Sequence, residues 1–118
     1  RVLRRRRYKF VRNIASGHQS PLPTDLFRSV TWTAVRKQGV EKMGLRETAR
    51  VLKREPEELY DIAADPMETT NLLGDPALAE IESEMREKLL AFRRTTKDPW
   101  LEVDYQEGRI DDPVVIGR

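Results

Sequence analysis

The sequence predicts an α+β fold: a small antiparallel β-sheet with one long amphipathic helix at about 76–95 packed on a face, plus a helical insertion. Three observations predict it. Val2, Leu3, Tyr8, Phe10, Val11 and Ile14 give residues 2–14 the β-branched, aromatic and aliphatic weight of strands. Glu58-Leu59-Tyr60-Asp61-Ile62 is a second short apolar-alternating run. Leu78, Ile81, Met85, Leu89 and Phe92 then recur at spacings of 3, 4, 4 and 3, a single helical stripe. One such helix and several short strands suit a two-layer arrangement, the stripe covering the sheet.

The first segment predicts a hairpin, with a break near Arg5-Arg6 and no Gly or Asn to mark the turn. Alternation within it puts Tyr8, Phe10 and Arg12 on one face and Lys9 and Val11 on the other. Ala15–Thr24, with one Gly, two Pro and two Ser, reads as a loop. Thr24 or Asp25 caps a helix expected to run through Leu26, Val30 and Val35 and to stop at Gly39. A second helix is expected over Arg46–Lys53, with Leu45, Ala49 and Leu52 on one face, ended by Pro56, which lacks the amide to continue it. Asp65-Pro66 closes the second strand with a turn in which Asp65 bonds nearby backbone and Pro66 fixes φ.

The long helix carries the clearest local signals. Asp75 is an N-cap and Pro76 sits at N1, where its missing amide costs nothing. Glu82–Arg86 and Glu84–Lys88 are i,i+4 pairs in the favourable orientation. Arg93, Arg94 and Lys97 collect where the helix dipole favours cations. Domain organisation follows: 1–101 as one unit, with 15–54 a loop and helical insertion, and 102–118 as a C-terminal tail that docks elsewhere or stays mobile.

The 118 residues suffice for one domain with a real core, but 38% hydrophobic against 36% charged residues makes that core modest. A net charge of +2 does not by itself signal a nucleic-acid partner. Without cysteine there is no disulfide framework, thiolate zinc site or thiol nucleophile, and the compartment is left open. No apolar run reaches the roughly 18–20 residues that cross a bilayer, so no membrane partner is expected. The chain opens at Arg1 in a strand-like segment and reads as a piece of something longer.

Charge is unevenly placed. Arg1, Arg4, Arg5, Arg6, Arg7, Lys9 and Arg12 make the N-terminus basic, whereas 55–87 carries eleven acids against Arg86. The asymmetry could steer an anionic ligand; the better reading is that the two ends face one another and cancel. Arg4–Arg7 on a mobile arm would bind phosphates, but flanking Val2-Leu3 and Tyr8-Phe10 place these arginines in strands, so nucleic acid is an unlikely partner. A helix-turn-helix over Leu45–Leu59 would have Glu57-Glu58-Leu59-Tyr60 as a short, acidic recognition helix, a poor match to phosphate.

Catalytic chemistry is mostly absent. His18 is the one histidine and lies in a Pro/Ser loop, with no nucleophile-elbow pattern around any serine. Asp111-Asp112 suggests a metal pair, yet beside Pro113 it reads better as a turn. No Gly-rich phosphate loop exists.

The order of segments carries more information than any one of them. Arg6-Arg7-Tyr8-Lys9-Phe10-Val11-Arg12-Asn13 is followed, after the insertion, by Glu57-Glu58-Leu59-Tyr60-Asp61-Ile62. Then come Asp65-Pro66, Glu68-Thr69-Thr70-Asn71-Leu72, the helix and Asp98-Pro99-Trp100. This resembles the C-terminal subdomain of the sulfatase family, in the alkaline-phosphatase-like superfamily. The Asp98-Pro99-Trp100 ending and the long insertion with Thr31-Trp32 look most like its heparan N-sulfatase branch. Coverage is good over 1–14 and 55–101, loose over 15–54 and absent for 102–118.

The resemblance implies a parent hydrolase of sulfate esters or sulfamates acting on an anionic sulfated substrate. In that family a Cys or Ser within C/S-x-P-x-R becomes formylglycine, whose hydrate attacks sulfur beside a divalent cation, usually Ca²⁺. Here Ser20-Pro21-Leu22-Pro23 is not that pattern, so no catalytic or metal residue carries over and the chain alone is expected to be inactive. Its partner would be the N-terminal α/β domain of the same polypeptide, and its role structural, with part of the pocket wall. Arg12, His18 and Trp32, on or near the loop after the second strand, are the candidates for a substrate rim. Arginine offers paired donors to sulfate or carboxylate, and tryptophan a sugar-stacking face. The alternative is an autonomous basic module that binds nucleic acid or sulfated polysaccharide.

Overall fold

A computed structural model describes residues 1–14, 16–20 and 22–101. The 102–118 tail and Asp111-Asp112 lie outside the described residues.

The N-terminal run forms the expected hairpin: β1 (Val2–Arg4) pairs antiparallel with β2 (Tyr8–Arg12), Leu3 opposite Phe10. Strand β5 (Glu57–Asp61) adds to the other edge of β2, antiparallel, with Phe10 opposite Leu59, so the sheet order is β1-β2-β5. Period-two alternation sends Leu3, Phe10 and Leu59 to one face. There they pack with Met85 and Leu89 of the long helix into the core, where Phe10, Leu59 and Met85 are all but fully buried. Val11, Lys9 and Tyr60 occupy the opposite face. The α+β architecture is therefore as predicted, with one long helix on one face of a three-stranded sheet.

The long helix starts as Pro76–Leu78 in a 3₁₀ turn and continues as α4 (Ala79–Thr95). (Three shorter helices precede it, in the insertion.) Asp75 accepts from the Ala77 N–H at 2.9 Å, the cap that its sequence position promised. The i,i+4 pairs Glu82–Arg86 and Glu84–Lys88 close at 2.6 and 2.8 Å. One position departs from expectation. Phe92 is 63% exposed, and Arg93 takes the next buried place after Met85 and Leu89, because Asp98 folds back to meet its guanidinium at 2.8 Å. Asp98 also takes two hydrogen bonds from the Arg1 side chain, so the start of the hairpin is tied to the end of the helix.

Edge strand β5 is covered by the turn that follows it. Leu59 does not exchange hydrogen bonds with Phe10 opposite; its N–H donates to Asn71 Oδ1 at 2.9 Å and its carbonyl accepts from Leu72 N–H at 2.8 Å. Asp65 Oδ2 in turn accepts from the N–H groups of Thr69 and Thr70 and from the Thr69 hydroxyl. Glu68 sits at φ 53° in that turn and is held by Lys9 at 2.6 Å. The Asp-Pro…Asn-Leu string is thus a device that ends β5 and satisfies its outer edge.

The insertion is cut differently from expectation. The helix after Thr24 is two helices, α1 (Thr24–Phe27) and α2 (Val30–Gln38), because Ser29 adopts extended geometry and its hydroxyl caps Trp32 N–H at 3.0 Å. Gly39 ends α2 in the left-handed conformation at φ 62°, as expected. The helix expected over Arg46–Lys53 starts later, as α3 (Thr48–Leu52). Arg46 and Glu47 form β4, paired with β3 (Lys42–Met43) across a two-residue turn where Gly44 takes φ 65°. Leu45, placed on the apolar face, is 70% exposed at that turn. Both ends of the insertion meet at Asn13: its N–H donates to the Pro56 carbonyl at 2.9 Å and its Nδ2 to the Glu55 carbonyl at 2.7 Å.

Candidate functional site

The body of the fold neutralises most of the N-terminal basic run. Arg5 makes a forked contact with Glu84 of α4, Arg7 pairs with Asp61 of β5 at 2.7 Å, and Arg12 meets Glu57 at 3.6 Å. Glu57 is shared with Arg86, whose guanidinium also lies over the Phe10 ring. The basic and acidic ends do face each other. Hydrogen bonds from Arg5 and then Lys88 draw the Glu84 carboxyl down to about 2. The hydrogen bond from Arg1 leads the causes that hold Asp98 below the ordinary carboxylate range. Arg4 and Arg6 stay exposed, without an ion pair among the described residues.

The three residues expected at a substrate rim lie in different settings. Arg12 lines a small hollow of about 140 Å³ beside Phe10, Leu89 and Arg93 and is already engaged with Glu57. His18 is half-buried in the loop between β2 and α1. Trp32 is 1% exposed and packs inside the insertion, lining a broader hollow with Val35, Val40, Ala49 and Leu52. Its ring face is thus covered within the chain, and its indole N–H is buried without an acceptor.

The charge that the body leaves over is concentrated elsewhere. Between Thr24 and Arg54 eight basic residues face three acidic ones, and none of the eight enters an ion pair among the described residues. Five of them, Lys42, Arg46, Arg50, Lys53 and Arg54, line a cleft of about 370 Å³. The insertion forms one wall; Tyr60 and the Thr69–Asn71 turn form the other. Arg46 bridges the walls, its Nη2 donating to the Met67 carbonyl at 2.9 Å. On the cleft floor the Tyr60 hydroxyl donates to Glu58, which also accepts from Asn13 Nδ2 at 2.6 Å. Burial first, and then that hydrogen bond to Glu58, push the phenol well above its ordinary value and keep it neutral.

Sequence reasoning missed this cleft, drawn instead to the four consecutive arginines. A charge count by segment would not have singled it out: 24–54 carries eight bases against three acids, but 1–23 carries seven against none. The donor set for a catalytic cation is not assembled: among the described residues no three His, Cys, Asp or Glu side chains cluster to hold a metal ion. With no cysteine and no C/S-x-P-x-R pattern, the chain also supplies no precursor for formylglycine. No helix among the described residues is long and apolar enough to cross a membrane.

No family model matches the chain. It is similar to human N-sulphoglucosamine sulphohydrolase, 28% identical over 104 residues that make up 86% of this chain and 21% of that protein. The chain therefore spans about a fifth of the length of the curated relative it matches. That likeness bears out the sulfatase resemblance drawn from the strand, turn and Asp98-Pro99-Trp100 motifs, and the N-sulfatase branch within it.

Proposed function

We propose that this chain is the C-terminal subdomain of a sulfatase-type hydrolase of sulfate esters or sulfamates, structural in role and inactive alone. Its likeness to about a fifth of a curated sulfohydrolase carries the reading. The Asp65-Pro66…Asn71-Leu72 string supports it, because the side chains of Asp65 and Asn71 are spent on shaping the turn and the sheet edge rather than on chemistry. Four large apolar side chains outside the insertion support it further: among the described residues Val2, Met67, Phe92 and Trp100 are each more than half exposed. Side chains of this kind are what a subdomain sets against its neighbour. The neighbour is an N-terminal α/β domain of the same polypeptide, which supplies formylglycine and the divalent cation.

Sulfate release and oxidative footprinting test this reading together, on the isolated chain and on the whole polypeptide encoded by its gene. The expected result is no release from an aryl sulfate or an N-sulfated glucosamine by the chain alone, release by the whole polypeptide, and protection of Met67, Phe92 and Trp100 only in the latter. A whole polypeptide that releases no sulfate from either substrate, or equal labelling of the three side chains in both, would overturn it.

A further inference from the structure

We infer that the cleft between the insertion and the β5–α4 connection is a binding site for a small ligand carrying two or more oxyanion groups. The inference does not rest on the sulfatase reading. It rests on a contrast within the molecule: cations of the sheet and α4 mostly have carboxylate partners, whereas Lys42, Arg50, Lys53 and Arg54 have none and converge on one concavity. Arg46 donates only to a carbonyl, so its charge also remains uncompensated.

Carboxylates do line the cleft, and two of the four are already committed. Glu68 is held by Lys9, and Glu58 by Tyr60 and Asn13. Five cations are thus left against Glu47 and Glu55. Concentrating like charge in a cleft with a low-dielectric floor raises the potential there above that of a flat surface. Nothing in the fold gains from holding these cations together; an anion supplies the missing partner. Guanidinium groups on Arg50 and Arg54 can each present two parallel donors to a sulfate, phosphate or carboxylate.

The shape argues for a compact ligand. About 370 Å³ holds a mono- or disaccharide-sized molecule, not a duplex. Tyr60 is the one aromatic lining residue, only 7% exposed and with its hydroxyl taken, so the cleft has no platform on which a base could stack. More than one oxyanion is required, because the cations stand on β3, β4, α3 and the residues after α3 rather than around a single point.

Titration calorimetry on the full chain at low and moderate salt tests the inference, with sucrose octasulfate, inositol hexakisphosphate and inorganic sulfate as probes. At least one of the two polyanions is expected to bind one-to-one, at least tenfold tighter than inorganic sulfate. Whichever binds tighter distinguishes a sulfated-sugar source from a polyphosphate source. The double variant Arg50→Gln/Arg54→Gln is expected to lose at least tenfold in affinity. These side chains make no ion pair in the fold, so its melting temperature should match the parent's. Arg4→Gln/Arg6→Gln removes the same charge elsewhere and is expected to stay within twofold. Equal losses in both double variants would mean that net charge alone attracts the anion, and would overturn the site. So would tighter binding of a short single-stranded DNA than of either small polyanion, or no binding of either at low salt.

Discussion

Replacing Asn71 with alanine should destabilise the fold although Asn71 is only half-buried. Its Oδ1 accepts from Leu59 N–H at 2.9 Å and from Leu73 N–H at 3.1 Å. Leu59 is fully buried, so its amide has no route to bulk water when the acceptor is removed. An orphaned buried donor costs about 1–3 kcal/mol. A water occupying the vacated space would set the low end of that range, and loss of the Leu73 bond adds to it. With a urea slope of about 2 kcal/mol per M for a protein of this size, a loss of about 2 kcal/mol lowers the unfolding midpoint by about 1 M. Asn71→Asp keeps the acceptor oxygen and its two amide donors, and exchanges the long Nδ2 contact to the Glu57 carbonyl at 3.4 Å for a repulsive oxygen–oxygen contact at that longer distance. The aspartate variant should therefore recover at least half of what alanine loses. Urea unfolding followed by tryptophan fluorescence and far-UV circular dichroism makes the comparison. An alanine variant within about 0.5 kcal/mol of the parent, the scatter of ordinary surface changes, would refute the argument that this side chain closes the sheet edge. An aspartate variant as damaged as alanine would refute it equally.

Two further outcomes follow from packing and charge. Leu59→Ala, at the centre of the core, should cost about 2–5 kcal/mol, whereas Phe92→Ala should fall within about 0.5 kcal/mol in this chain; denaturation of the pair checks which helix face is inside. Glu84, held down to about 2 by Arg5 and Lys88, has a folded value below its ordinary 4.5. Its stabilisation is therefore complete above about pH 4.5 and lost as pH falls toward 2, with Asp98 and Asp65 acting in the same direction. Thermal melts at low salt should drop across that window and drop less steeply in Glu84→Gln; a flat profile between pH 4.5 and 2.5 would count against the pairing.

Elements that were legible in the sequence are those whose signals are local. Asp75-Pro76 with the Leu78-to-Leu89 stripe, and the Glu-Leu-Tyr-Asp run, needed nothing from the rest of the molecule to declare a helix and a strand. Short elements were cut wrongly where one residue decided between two local options. Ser29 could lie within a helix or cap the next one, and Gly44 could precede a helix or turn a hairpin; contacts elsewhere in the insertion make the choice. Spacing alone turns Phe92 inward, but the buried face follows Met85, Leu89 and Arg93, and the return of the chain through Asp98 and the Trp100 carbonyl gives the arginine partners there. The same reason hid the cationic cleft. Whether an arginine is neutralised depends on which acid the fold brings to it, and the run that looked most basic is the one that meets Glu84 and Asp61.

The clamp at Asn13 makes the fold modular. Because Asn13 binds both Glu55 and Pro56, the chain leaves the sheet and rejoins it at one point. To the sheet, the segment between is a handle welded at that seam and steadied by one further bond, from Arg46 to the Met67 carbonyl. An engineer could exchange that handle for a tight turn and keep every β2–β5 hydrogen bond. Shortening the connection from about forty residues to about five is three halvings, each relieving about 0.6 kcal/mol of closure entropy. The one repair needed would be a polar replacement for Tyr60, which the handle now helps to shelter. In the other direction, longer handles could be spliced at the same seam with little penalty, so binding properties can diversify there while the sheet and its helix stay constant.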